Sequence, residues 1–223
     1  MAPVAESNRY QHQKQLAIRS AASEFAEKGF HGASTKDIAE RMGIKQGSLY
    51  YYFTSKEEAL GEVCLFGIQE YVERMKSIAA SDQPFEAKLM ATITSHLTSY
   101  RERNEALKVH NDERLYLPED KRARLKELGS NYRQQLEKIF EEGASVGVLR
   151  KSIDCHFAAQ AVIGMCNGWG DIIVRDSTLD LFDLIQKCTD LILNGFGERR
   201  RNKRDGNDAV SAGKKSIRAK KGL

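Results

Sequence analysis

The run from residue 34 to residue 60, STKDIAERMGIKQGSLYYYFTSKEEAL, constrains this chain more than any other part of it. Two short stretches of helical periodicity flank Gly43, and Ile38, Ala39, Ile44 and Leu49 fall where they can share one interior. Ser34 with Asp37 forms a capping box, so a helix is expected over residues 35–42. Gly43 ends it where a tight turn needs an unhindered backbone. A short helix follows over residues 46–52, and Ser55-Lys56-Glu57-Glu58 is read as a second capping box opening a long helix to about residue 79. Upstream, Leu16, Ile18, Ala21, Ala22, Phe25 and Ala26 recur at helical spacing over residues 11–28, with Gly29 as the stop. Three helices with a glycine turn before the last make a helix-turn-helix, whose final helix fits the major groove of duplex DNA. Its exposed residues suit that task. Lys45, Gln46 and Ser48 offer donors and an amide to base edges, and Gly47 admits close backbone approach. Tyr50, Tyr51 and Lys56 offer a hydroxyl, a ring and a charge to the phosphate backbone.

Beyond this unit the chain stays helical. Three prolines in 223 residues and almost no strand-like alternation predict an all-α fold of about nine helices. After a helix over residues 85–103, residues 104–114 read as a polar stretch. One or two helical segments then fill 119–144, and two strongly apolar helices cover 155–173 and 179–196. Residues 199–223 hold ten Lys/Arg against two Asp and read as a disordered basic tail. Residues 1–198 hold 25 against 29, so the chain is basic at its ends and acidic in its middle. The expected organisation is a DNA-binding domain over 1–55, a larger helical domain over 56–198, and the tail. No apolar run approaches the roughly 18 residues of a membrane span. Neither a secretory signal nor a CxxC pair is present, so Cys64, Cys155, Cys166 and Cys188 are expected as thiols in a cytoplasmic protein.

The segment closely resembles the DNA-binding domain of the TetR family of one-component bacterial regulators. The resemblance is carried by Thr35, Ile38-Ala39, Gly43-Ile44, Leu49-Tyr50, Tyr51-Tyr52-Phe53 and Ser55-Lys56-Glu57-Glu58, with Ala21, Phe25 and Gly29-Phe30 upstream. It implies phosphate contacts by Thr35, Tyr50 and Lys56, and base-edge contacts by Lys36, Lys45, Gln46 and Ser48. Lys14 stands where the family usually has arginine. The remainder is more loosely similar to the family's ligand-binding and dimerisation domain, through residues 143–150 and Ala158-Ala159. That implies a homodimer on a palindromic operator, built through the last two helices, where Gly164, Gly168 and Gly170 permit close approach. It also implies repression relieved by a small-molecule effector.

A pocket in the second domain would be lined by Phe66, Ile93, Leu97, Tyr100, Leu115, Tyr116, Asn167 and Trp169. The region looks similar to family members that respond to acyl-CoA thioesters of lipid or aromatic catabolism, though it lacks the Trp-Tyr-Arg-Pro-Gly run many of them carry. No cofactor, metal or catalytic residue is expected. The five histidines show no ligand spacing, and no nucleophile elbow, phosphate loop or paired carboxylates stand in a recognisable frame. Two rival readings are a helical enzyme and an architectural DNA-binding protein without an effector. The second is disfavoured because non-specific phosphate attraction does not need so large an acidic domain.

Overall fold

A computed structural model of the chain describes residues 3–196, so the basic segment 199–223 lies outside the described residues. Among the described residues nine α-helices follow one another: α1 Pro3–Gly32, α2 Thr35–Met42, α3 Gln46–Leu49, α4 Lys56–Ala79, α5 Phe85–Glu102, α6 Asn104–Glu113, α7 Glu119–Ser145, α8 Cys155–Arg175 and α9 Leu181–Phe196. A 3-10 turn, Arg114–Tyr116, joins α6 to α7.

The starts of these helices follow from side-chain chemistry. Ser34 Oγ accepts from the Asp37 amide, and the Asp37 carboxylate accepts from the Ser34 amide at 2.9 Å, the capping box expected of α2. Gly43 ends α2 with φ at 72°. At α4 the box is displaced by one residue. Ser55 accepts from the Glu58 amide, but Glu58 reaches back to the amide of Thr54 at 2.5 Å rather than to that of Ser55. Asp154 caps α8, and Asp180 accepts from the amides of Phe182 and Asp183 at the start of α9. Helix α1 begins eight residues earlier than the apolar period indicates, and it kinks at Gly29, where φ is 70°, rather than stopping there. Helix α3 is a single turn, and Tyr51, Tyr52 and Phe53 continue it through turn hydrogen bonds.

The main correction to the sequence reading is α6. Residues 104–114 were expected as a polar stretch, yet Asn104–Glu113 is a helix that buries Ala106, Leu107 and Val109. It wedges between α1 and α4. Gly67 on α4 makes this possible. A Cβ there would stand 2.9 Å from the Ala106 carbonyl oxygen, so the two helices meet backbone to backbone. Helix α8 also differs. By length and a mean hydropathy of 1.2 it could cross a membrane, but it packs on α5 and α7, and the polar Gln160, Asn167 and Asp171 interrupt its apolar surface.

Gly67→Ala should therefore force α6 away from α4. A backbone neighbour cannot rotate aside as a side chain can, so a loss of about 1–3 kcal/mol is expected. Thermal unfolding checks this, and the expected outcome is a midpoint lower by several degrees.

Candidate functional site

Helices α1 and α2 are clamped together by charge. Glu24 on α1 is buried, and Arg41 on α2 donates to it at 2.6 Å and to Glu27 at 2.5 Å. Lys28 lies 2.9 Å from both Glu24 and Asp37. Burial alone would raise the Glu24 pKa, but the hydrogen bonds from Arg41 and Lys28 outweigh it and hold the carboxyl ionised. Gln46 Nε2 donates to Thr35 Oγ1 at 2.9 Å, tying the first turns of α2 and α3 to each other.

On this support Lys36, Lys45, Gln46, Gly47, Ser48, Tyr50 and Tyr51 are all exposed, and Thr35 is half-buried. A Cβ on Gly47 would meet nothing within 4 Å, so the start of α3 is open to close approach. Tyr51 stands edge-on to Tyr10 of α1 and to Tyr52, each ring centroid 5.3 Å away. Lys56 is placed differently from its neighbours. Its ammonium donates to the carbonyls of Phe30 at 2.8 Å and Ala33 at 3.0 Å and lies over the Phe30 ring, leaving one of three N–H groups. Lys14 likewise donates to the Tyr52 carbonyl and sits 4.4 Å from the Phe53 ring centre.

Helices α4 to α8 enclose a cavity of about 770 Å³. Tyr71, Val72, Leu107, Leu125, Tyr132 and Ile163 form its apolar wall. A chain of polar groups crosses it. His96 Nε2 lies 3.0 Å from Asn167 Oδ1, which can only accept, so Nε2 carries the proton and Nδ1 accepts from the Tyr132 hydroxyl at 3.0 Å. The Tyr100 hydroxyl donates to the same Asn167 oxygen at 3.1 Å and accepts from Asn111 at 3.4 Å. Burial holds the His96 pKa down to about 4, despite the hydrogen bond to Asn167, so the ring is neutral at physiological pH. His110, beside Leu107 in the lining, is also lowered to about 4 by burial and by the nearby Arg114. At the exposed side of the cavity Arg122, Lys126 and Arg133 follow one another along α7.

Of the pocket residues expected from sequence, the cavity brings together Tyr100, Leu115 and Asn167. The others are placed elsewhere. Ile93 and Leu97 are sealed in the core, and Trp169 packs half-buried against it. Phe66 lies beneath the Arg103 guanidinium at 4.2 Å. Tyr116 stacks on Phe30 at 5.8 Å and against His31 at 4.5 Å, outside the cavity. Sequence reasoning left His96 as an ordinary hydrogen-bonded histidine and did not single out Tyr71, Tyr132 or the α7 cations.

A family model described as bacterial regulatory proteins of the tetR family matches residues 17–63, and one for the tetracyclin repressor-like C-terminal domain matches residues 82–195. The chain belongs to the TetR family. Among its relatives is the HTH-type transcriptional repressor KstR2 of Rhodococcus jostii, 31% identical over 139 residues, covering 62% of this chain and 68% of that protein. The fatty acid metabolism regulator protein of Bacillus subtilis is 25% identical over 188 residues, covering 82% and 95%. Two solved structures share the fold. PfmR of Thermus thermophilus has a TM-score of 0.75 at 25% identity, covering 82% of this chain and 99% of that one. FadR of Bacillus subtilis, solved in complex with stearoyl-CoA, has a TM-score of 0.68 at 23% identity, covering 82% and 98%.

In this TetR-family chain the apolar residues of α8 and α9 divide into two sets. Val162, Ile173, Leu184, Ile185 and Ile192 are buried within the protomer. Phe157, Ile172, Phe182 and Leu191 are exposed, Phe182 at 72% and Leu191 at 65%. Gly164 and Gly168 lie open on α8, whereas a Cβ on Gly170 would run into the Tyr100 ring at 2.3 Å, so Gly170 serves packing within the chain.

Acid should loosen the cavity domain. Two buried histidines have folded pKa values near 4, below the 6.5 of a free imidazole, so the unfolded chain binds more protons between those values. Stability is complete above pH 6.5 and falls as pH drops towards 4, by up to about 1.4 kcal/mol per unit per histidine. Urea midpoints from pH 7 to pH 5 check the direction, and replacement of His96 by Gln should flatten the slope. A midpoint that rises on acidification would contradict it.

Proposed function

We propose that this TetR-family protein is a cytoplasmic, homodimeric repressor that binds a palindromic operator and is released by an amphipathic, anionic effector, a long-chain acyl-CoA. The observation that carries the effector reading is the cavity itself. An apolar wall suits an acyl chain, the polar chain through His96 and Asn167 suits a carbonyl, and the α7 cations suit the phosphates of coenzyme A. The kinship with a Bacillus subtilis fatty acid metabolism regulator supports the same class, and the similarly folded Bacillus subtilis FadR was solved with stearoyl-CoA. The dimer reading is supported by the exposed Phe157, Ile172, Phe182 and Leu191 on α8 and α9, large apolar side chains that a second copy would cover.

On the DNA side, Lys36, Lys45, Gln46 and Ser48 are assigned to base edges, with Thr35, Tyr50, Tyr51 and the remaining donor of Lys56 assigned to phosphates. Gln46 is tethered to Thr35, which presents its amide in one orientation. Gln46→Ala should weaken operator binding by ~1–3 kcal/mol and relax the preference at one position in each half-site, leaving random duplex almost unaffected. Fluorescence anisotropy on both duplexes measures this. An equal loss on both would remove Gln46 from the base-reading set.

The effector reading is tested by calorimetry with stearoyl-CoA. Wild-type protein should bind it, and the double variant Arg122→Ala, Lys126→Ala should bind roughly tenfold more weakly, with a shallower salt dependence, because charge-assisted contacts to phosphate are lost. Unchanged affinity in the double variant would place the anionic group elsewhere.

A further inference from the structure

Helix α7 turns an apolar row toward the interior: Leu125, Tyr132, Leu136, Ile139 and Phe140 are all buried. Between Leu125 and Tyr132 this row is filled by the half-buried Leu128. At spacings of four, three and four, position 129 instead falls in line with Arg122, Lys126 and Arg133, all of which line the cavity. The chain has Gly129, which is exposed and lines the cavity. A Cβ added to it would meet nothing within 4 Å, and its backbone φ is not in the left-handed region, so neither packing nor turn geometry calls for glycine. In the middle of a 27-residue helix glycine is a destabilising choice. Its flanks are equally specific. Lys126 lies three residues before it and Arg133 four after, with Ser130 adjacent, and all three line the same cavity.

We infer that Gly129 is the aperture of the cavity, the missing side chain in the α7 wall across which the effector passes. Its apolar part lies inside, against Tyr71 and Tyr132, and its anionic part lies outside among Arg122, Lys126 and Arg133. Gly129 then determines which effectors are admitted, because a side chain at this point would narrow the opening from the helix itself. This rests on the cavity being the effector site.

The test compares wild type, Gly129→Ala and Gly129→Leu in full-length protein, by calorimetry with stearoyl-CoA and by thermal unfolding. Both variants should unfold at or above the wild-type temperature, because a helix interior gains a better helix former and nothing is struck. Gly129→Ala should bind stearoyl-CoA within threefold of wild type. Gly129→Leu should bind it at least tenfold more weakly and more slowly, while operator binding without ligand stays unchanged. Wild-type affinity in Gly129→Leu overturns the aperture, and so does a lowered unfolding temperature in both variants, which would make Gly129 a packing residue. If wild type itself takes up no stearoyl-CoA, the acyl-CoA reading of the cavity fails, and the aperture falls with it.

Discussion

The packing of α6 against α1 is the contact on which the rest of this molecule depends. Along one side of α6, Lys108 donates to the Ala26 carbonyl at 2.9 Å and Glu105 accepts from Ser23 at 2.6 Å. Just beyond the helix, the Tyr116 ring rests on Phe30 and His31 at the end of α1. Along the other side, Leu107, His110 and Asn111 face the cavity. The same end of α1 is held to the start of α4 by Lys56, so α1, α4 and α6 meet at one corner. Close-packed interiors shift between discrete arrangements rather than deform continuously. A ligand that displaced the inner face of α6 would therefore reposition α1, and α2 and α3 would move with it through the Glu24–Arg41 clamp.

The cavity combines two chemistries that need opposite surroundings. In its polar chain, Tyr132 to His96 to Asn167 to Tyr100 to Asn111, the buried Tyr132, His96 and Tyr100 all find partners, as buried polar groups must, while the two asparagines are exposed. A neutral His96 is part of that economy, since a charged ring at the same depth would need a counterion that none of these partners supplies. The cations stand instead at the exposed side, Arg122 and Lys126 in water and Arg133 half-buried and paired with Glu137 at 3.6 Å.

Much of the fold was legible because local chemistry sets it. The cap at Ser34, the turn at Gly43 and the start of α4 follow from a few adjacent residues, and the structure repeats them with one shift at Glu58. Helix α6 was not legible. Its three buried residues make too thin an apolar stripe to signal a helix, which forms because α1 and α4 cover it. The cavity was legible only in part, for a related reason. Tyr100 and Asn167 stand out as polar groups on apolar helices, but Arg122, Lys126 and Arg133 look like any solvated face until the opposite wall is known. In α9 the apolar residues occupy too much of the helix to reveal which side meets the protein's own core. Leu184, taken alone, suits an interface between copies, yet it is buried at home, and Phe182 and Leu191 are left outside.

Release from the operator by an effector requires that filling the cavity change the helix-turn-helix. Operator affinity measured with and without saturating stearoyl-CoA, at fixed salt, tests it most directly. Coupling through α6 predicts a loss within the 5–150-fold range typical of linked sites. Stearoyl-CoA bound at saturation with operator affinity unchanged would contradict it.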